Sequence, residues 1–162
     1  MSRTSVTKTN AIRLLESAGI SFTAYEYPVD DGRIDAKSIA EKIGRSQDEV
    51  FKTLVAESPA HEHFVFVVPA AGELDVKKAA HASGQKSIEM IPQKQLFPLT
   101  GYIHGGCSPV GMKKLFPTFI DETAILFDTI CVSGGRVGLN LAIVPDVLRE
   151  FIHAEFYDLT KS

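Results

Sequence analysis

The segment from Ser46 to Ala56 reads SQDEVFKTLVA and sets the pattern of local structure in this 162-residue chain. Ser46 and Glu49 have the spacing of a capping box, in which each side chain hydrogen-bonds the other residue's backbone amide at the start of a helical turn. Because the strand-like run from Phe51 to Ala56 begins only two residues later, the helix can have only one turn. Phe64 to Val68 is the clearest strand. The segment therefore predicts short helices mixed with strands.

The same alternation continues on both sides of this segment, and glycines 19, 44 and 84 stand where helices are expected to end. Further helices are predicted from Thr7 to Ala18, from Ala36 to Ile43, from the cap Asp75 to Ser83, and from Pro92 and Pro145. Further strands are predicted from Phe22 to Tyr27, Lys86 to Met90, Tyr102 to His104, Thr118 to Ile120, Ile130 to Ser133, Leu139 to Val144 and Glu155 to Leu159. No repeat or linker interrupts them. We expect a single α+β domain over residues 1–162, with a curved mixed sheet and helices outside it.

The composition is that of a globular protein, with 44% hydrophobic and 23% charged residues. The formal net charge is −3. Proteins that grip duplex nucleic acid through many phosphates are normally basic, so this charge argues against extended groove binding. A single nucleic-acid end can still be held by a few local contacts.

The two cysteines, Cys107 and Cys131, are too few for a disulfide scaffold and lack zinc-ligand spacing. No apolar signal-like run follows Met1, and no window has the ~18 apolar residues that a membrane span requires. We therefore expect a cytoplasmic protein with no membrane partner.

Lys52 is the first residue that points to chemistry. Period-two alternation places it on the strand face shared by Leu54 and Ala56, while Phe51 and Val55 lie on the other face. If both faces are covered, the ammonium group either reaches water at the strand end or lies at the mouth of a pocket. In a pocket it could bind an anion or polarise a reacting group.

Two glycine pairs follow predicted strands. Residues 101–111 read GYIHGGCSPVG, and residues 133–138 read SGGRVG. Adjacent glycines allow positive φ and let backbone N–H groups approach a ligand, although each run is also typical of a simple tight turn. Neither has P-loop or dinucleotide-binding spacing. Because both glycine pairs follow predicted strands, the pattern favours the hypothesis that both lie at one shared cavity.

Two further groups of side chains offer alternative chemistries. His61 and His63 resemble a fragment of a metal site, which keeps a metal hydrolase open, but they lie in a polar loop and no third ligand is marked. Cys107 could act as a thiol nucleophile with His104 as its base, although packing within the loop is the simpler interpretation.

Four motifs in this order resemble the YbaK family of free-standing Cys-tRNA(Pro) deacylases, which is related to the editing domain of bacterial prolyl-tRNA synthetases. The motifs are Phe51 to Leu54, Gly105 to Gly111 with Lys113 and Lys114, Pro117 to Asp121, and Val132 to Gly135. The resemblance extends from the opening helix to about Asp158. It implies a compact fold around a curved, barrel-like mixed sheet flanked by helices.

The resemblance also implies hydrolysis of the ester between a wrong amino acid and the 3′-adenosine of tRNA(Pro), with no metal or redox cofactor. Cysteine and proline differ too little in volume for a synthetase pocket to reject one strongly, so a second site removes the error. The implied partners are the aminoacylated acceptor end of tRNA(Pro) and prolyl-tRNA synthetase. In the mechanism that the resemblance implies, the cysteinyl thiol attacks its own ester carbonyl, while the protein orients the ester and stabilises the oxyanion.

By motif, Lys52 corresponds to the essential lysine of the family, and Gly106 to the glycine whose backbone approaches the aminoacyl group. The amides of Gly105 and Gly106 are expected to bind the carbonyl oxygen, and the Lys52 ammonium the terminal phosphate or ribose. The residues expected to bind substrate are Tyr27, Gly105, Ser108, Ser133, Gly135 and Asn140.

Two positions depart from the pattern of close relatives, which have an aliphatic residue at the position of Cys107 and an aspartate at that of Asn140. An amide in place of the carboxylate could change recognition of the substrate amine. The expected function is trans-editing of Cys-tRNA(Pro). The alternatives are a deacylase of Ala-tRNA(Pro) and a non-catalytic module that binds aminoacyl-tRNA or the synthetase.

Overall fold

A computed structural model describes residues 8–161 of the chain. The α-helices in this range are α1 (Asn10–Ser17), α2 (Ala36–Ile43), α3 (Val76–Ser83), α4 (Leu96–Thr100) and α5 (Pro145–Phe151). The strands are β1 (Thr23–Glu26), β2 (Phe51–Glu57), β3 (His63–Pro69), β4 (Glu89–Met90), β5 (Thr118–Asp121), β6 (Ile130–Ser133), β7 (Leu139–Ile143) and β8 (Glu155–Tyr157). Within the described range, no helix combines the length and the apolar character needed to cross a bilayer.

The strands form two sheets. The larger has the order β4-β2-β3-β5-β8 and is mixed, because β3, β5 and β8 run parallel while β2 is antiparallel to both of its neighbours. The smaller is antiparallel with the order β1-β7-β6. An isolated parallel bridge between Val50 and Cys131 joins the start of β2 to β6. The α+β class is confirmed, but the strands do not close into a barrel, so the barrel-like detail is not confirmed.

The main core lies between the two sheets and is closed by α1 and α5. α3 covers the other face of the larger sheet, and α2 covers the outer face of the smaller one. Alternation along β6 and β7 sends Val132 and Leu141 into the main core, while Cys131 and Ala142 pack with α2. The outer face of the small sheet is therefore the one that can meet a ligand beside α2.

Helix boundaries follow the sequence signals closely. The capping box at Ser46 is confirmed and holds a single 3₁₀ turn, Gln47–Glu49. α2 and α3 end at Gly44 and Gly84, both left-handed. Thr7, where the opening helix is predicted to begin, lies outside the described residues. α1 begins at Asn10 with Thr9 as its N-cap.

The strand predicted from Tyr102 to His104 is wrong, because residues 101–117 form an irregular loop. The Tyr102 N–H donates to Thr100 Oγ1 at 3.0 Å, and the Tyr102 hydroxyl donates to the Val110 carbonyl at 2.6 Å. These groups tie the loop to itself rather than to a neighbouring strand.

The strand predicted from Lys86 to Met90 shortens to β4, which pairs only with Ala56 and Glu57 at the end of β2. The earlier part of this edge of β2 is consequently not covered by β4.

Candidate active site

A cavity of about 490 Å³ lies where β2 and β6 separate after their bridge. Its walls come from the start of β2, the outer face of the small sheet, the loop that leads into α2, and the loop after α4. This volume is within the range of ~300–1000 Å³ that is typical of small-molecule sites.

The small sheet forms one wall from neutral side chains. Ser133 and Asn140 are directly opposite each other on β6 and β7, and Tyr27 follows β1. Asn140 Nδ2 donates to the Tyr27 hydroxyl at 3.3 Å. Asn140 is 4% exposed, and its Oδ1 is buried without a hydrogen-bond partner among the described residues. A buried unpaired acceptor is uncommon in a folded protein, so this oxygen is a candidate acceptor for a donor from a ligand.

Tyr27 is buried against the same wall. Burial raises the pKa of its phenol above the ordinary value of 10.0, although hydrogen bonds from Gly138 and Asn140 and the charge of Arg136 oppose the change. Tyr27 is therefore a neutral hydroxyl at physiological pH, able to donate one hydrogen bond.

The start of β2 forms the facing wall. Lys52 is half-buried, and its Nζ donates to the Gly72 carbonyl at 3.0 Å. Lys52 thus lies at the cavity, as one of its two sequence interpretations predicts. The next residue, Thr53, also lines the cavity, and its Oγ1 is buried without a partner in the described range.

The first glycine pair closes one end of the cavity with a turn from Ile103 to Gly106. Gly105 has φ +86°, the left-handed conformation that a type II turn requires at its third position, and it lines the cavity. The Gly106 N–H donates to the Ile103 carbonyl at 2.9 Å. A Cβ at Gly106 would lie 2.9 Å from Arg136 Cα and from Val137 N. Gly106 therefore lets the two glycine turns pack backbone against backbone.

The second glycine pair has a packing role. A Cβ at Gly134 would lie 2.6 Å from the Leu139 side chain, and the Gly135 N–H donates to Ser133 Oγ at 3.2 Å. Ser108 is fully buried, and its hydroxyl accepts from the Val110 N–H.

The predicted site residues thus divide into two groups. Those that line the cavity are Tyr27, Lys52, Gly105, Ser133 and Asn140. Those that do not line it are Gly106, Ser108 and Gly135.

Cys107 lines the cavity next to the first glycine turn. Burial raises the pKa of its thiol to about 12, so it is protonated at neutral pH. A thiol in that state is a poor nucleophile, which favours the packing interpretation.

His61 and His63 lie on the β2-β3 hairpin and do not line the cavity. Both rings approach Glu57, at 3.3 and 3.7 Å. No three His, Cys, Asp or Glu side chains between residues 8 and 161 form a group suited to a metal ion.

Sequence reasoning missed the clamp that holds the loop before α2. Lys42 Nζ donates to the Pro28 carbonyl at 2.6 Å, to Asp31 Oδ1 at 2.9 Å and to the Arg33 carbonyl at 3.0 Å. Residues of this loop, Gly32 among them, line the cavity. The only local signal is a basic residue in the last turn of a short helix, which is ordinarily explained by the helix dipole.

Comparison with known proteins identifies the class. The chain belongs to the aminoacyl-tRNA editing domain family, whose description matches residues 33–151. A protein of Enterococcus faecalis, EbsC, named as a candidate Cys-tRNA(Pro)/Cys-tRNA(Cys) deacylase, is 40% identical over 153 residues. The alignment covers 94% of this chain and 93% of EbsC.

Two further similarities are more distant. A proline–tRNA ligase of Shouchella clausii is 27% identical over 109 residues, which are 65% of this chain and 19% of the ligase. The crystal structure of a candidate trans-editing enzyme for prolyl-tRNA synthetase superposes with a TM-score of 0.84 at 24% identity, covering 97% of this chain and all of the other. The second similarity shows a shared fold.

Proposed function

We propose that this protein is an aminoacyl-tRNA deacylase whose preferred substrate is Cys-tRNA(Pro). Membership of the editing-domain family and 40% identity to EbsC support the class of reaction. Asn140 lines the same cavity as Lys52, and its buried Oδ1 has no hydrogen-bond partner among residues 8–161; this is the observation that carries the proposal. A buried acceptor without a donor is costly unless a ligand supplies one, and the α-ammonium group of an aminoacyl ester is such a donor.

The chemistry we propose uses the substrate's own thiol. The cysteinyl sulfur attacks the ester carbonyl carbon, the bond from that carbon to the ribose oxygen breaks, and the thiol proton passes to that oxygen. Water then opens the resulting thiolactone to free cysteine. The protein orients the ester and stabilises negative charge on the carbonyl oxygen.

Gly105 and Lys52 would bind different parts of the substrate. Because the Gly106 N–H already donates to Ile103, the Gly105 amide is the member of this pair left to serve the carbonyl oxygen. The Lys52 ammonium would hold the terminal phosphate or ribose, exchanging its bond to the Gly72 carbonyl for a charged acceptor.

We further propose that residues 1–162 act as one editing domain in the cytoplasm, on the acceptor end of tRNA(Pro). A net charge of −3 suits recognition through few contacts, so affinity for free tRNA should be weak and salt-sensitive. Association with prolyl-tRNA synthetase would supply the remaining affinity.

The test is release of amino acid from tRNA(Pro) charged with cysteine, alanine, proline or serine. We expect cysteine to be released fastest. Serine should be released slowly, because a hydroxyl is a much weaker nucleophile than a thiol. Faster release of alanine would favour an Ala-tRNA(Pro) deacylase that uses water. If the protein retains charged tRNA on a filter but releases no amino acid, it is a non-catalytic module that binds aminoacyl-tRNA.

A further inference from the structure

The wall formed by β2 is the edge of a strand. Five consecutive residues, 50–54, line the cavity. Successive side chains of a strand point to opposite faces, so five in a row can line one cavity only if it runs along the strand's backbone edge.

The register identifies which backbone groups point toward that edge. The Val55 carbonyl accepts from the Ile91 N–H at 3.2 Å, on the side of β2 away from β3. Val65, which lies opposite Val55 on β3, donates its own N–H to the Pro117 carbonyl at 2.9 Å. Along an antiparallel strand, the backbone N–H and C=O groups of successive residues point alternately toward the paired strand and away from it. Thr53 is two residues from Val55, so its N–H and C=O both point away from β3.

No strand between residues 8 and 161 pairs with Thr53 on that side. β4 pairs with β2 only at Ala56 and Glu57, and the bridge to β6 lies at Val50. Between these points the strand edge at Thr53 is without a β-partner among residues 8–161 and faces the cavity. The N–H donor and the C=O acceptor of Thr53 therefore lie side by side without a partner strand in the described range.

We propose that this open edge of β2 at Thr53 binds the adenine at the 3′ end of the substrate. The Thr53 C=O accepts from the adenine N6 amine, and the Thr53 N–H donates to adenine N1. The inference rests on the proposed function, because it assigns to the Thr53 backbone the recognition of the terminal nucleotide of the aminoacyl-tRNA.

Adenine fits this edge better than the amino acid does. Its Watson–Crick edge presents a neutral donor beside a neutral acceptor, the complement of a single extended residue. An α-ammonium group has donors only, so at Thr53 it would leave the N–H unpaired. The ammonium is better placed at Asn140 on the facing wall, whose Oδ1 has no hydrogen-bond partner in the described part of the chain.

The experiment uses Cys-tRNA(Pro) in which the terminal adenosine is replaced by purine riboside, inosine or 7-deazaadenosine. Purine riboside lacks the N6 amine, and we expect kcat/KM to fall about tenfold because the Thr53 C=O loses its donor. Inosine sets donor against donor and acceptor against acceptor, so we expect a loss of about 100-fold. 7-Deazaadenosine keeps the Watson–Crick edge and should react like adenosine.

A matched pair of variants tests the residue itself. Thr53→Pro removes the outward N–H without removing a bond to β3, the position at which proline is tolerated in a strand. It should shrink the preference for adenosine over inosine, because the clash between two donors is gone. Thr53→Val keeps the backbone and should retain the preference of the unaltered protein.

Two results would overturn the proposal: equal rates for adenosine, purine riboside and inosine, or a loss with 7-deazaadenosine alone, which would indicate the other edge of the base. In either case the proposed deacylase function would stand, because adenosine-terminated substrate would still be hydrolysed. Absence of hydrolysis for every substrate would refute the deacylase function and this inference with it. If Thr53→Pro does not fold, the nucleoside series decides alone.

Discussion

The two walls of the cavity offer a ligand different kinds of group. The β2 wall presents backbone along an open strand edge and the ammonium of Lys52. The small-sheet wall presents neutral side chains: Tyr27 and Asn140, which are buried, and Ser133, which is half-buried. Backbone groups recognise features common to all charged tRNA, whereas side chains can be exchanged to suit one amino acid. We infer that the β2 wall holds the tRNA end and the small-sheet wall sets amino-acid specificity.

The largest expected effect comes from removing the charge on the β2 wall. Lys52→Ala should lower kcat/KM for release of cysteine by about 100-fold, because the terminal phosphate or ribose loses a charged hydrogen bond worth up to ~3 kcal/mol. Lys77→Ala, which removes an exposed lysine on α3, is the matched control and should be fully active. A folded Lys52→Ala protein with normal turnover would refute this role for the wall.

The contact that joins the two glycine turns is the next target. Gly106→Ala puts a methyl group within 2.9 Å of backbone at Arg136 and Val137, where no side chain can move aside. We expect a loss of about 2–4 kcal/mol in the free energy of unfolding, measured in urea. Gly84→Ala is the control, because nothing lies within 4 Å there and only the strain of positive φ remains, about 1–2 kcal/mol. Equal losses would contradict the proposed backbone contact.

Two substitutions at Asn140 should move KM in opposite directions. Asn140→Leu removes the acceptor that we propose for the substrate amine and should raise KM for Cys-tRNA(Pro) about tenfold. Asn140→Asp adds a charge that attracts the ammonium group and should lower KM a few-fold. Steady-state kinetics with both variants checks the assignment. The same KM for both would mean that the small-sheet wall does not bind the amine.

The smallest effect concerns stability at alkaline pH. Cys131 lies under α2 on the outer face of the small sheet, and burial raises the pKa of its thiol from about 9 to about 11. Below pH 9 the thiol is protonated in both folded and unfolded chains. Between pH 9 and 11 only the unfolded chain loses the proton, so stability falls as pH rises.

Cys131→Val should remove about 1–2 kcal/mol of that fall, measured by urea unfolding at pH 8, 9, 10 and 11. Cys107→Val is the comparison variant: its effect should also begin near pH 9, where the unfolded thiol loses its proton, but should continue to higher pH because burial raises the pKa of Cys107 to about 12. An unchanged pH dependence in Cys131→Val would contradict the buried, protonated thiol.

Structural features that depend on neighbouring residues could be predicted from the sequence, whereas features that depend on pairing between distant strands could not. The capping box at Ser46 and the glycine that ends α2 act within one turn, so their residues alone determine them. Alternation around Lys52 correctly limited its position to a strand end or a pocket. The open edge at Thr53 could not be predicted, because it exists only where β4 stops short and β6 turns away.

The two glycine pairs show the same limit. In the sequence they look equivalent, yet Gly105 lines the cavity while Gly134 and Gly135 pack against the chain behind it. A glycine needed for a ligand and one needed for a neighbouring backbone have the same local pattern. Only the three-dimensional contact distinguishes them.

The most direct test of this account is a crystal structure with 3′-deoxy-3′-(cysteinylamino)adenosine, in which an amide replaces the scissile ester. We expect the analogue between the two walls, with adenine beside Thr53, the amide oxygen near Gly105 and the ammonium at Asn140. Density for the analogue elsewhere, such as the groove between α1 and α5 beside Leu14 and Phe151, would contradict the account. An empty cavity at saturating analogue would contradict it equally.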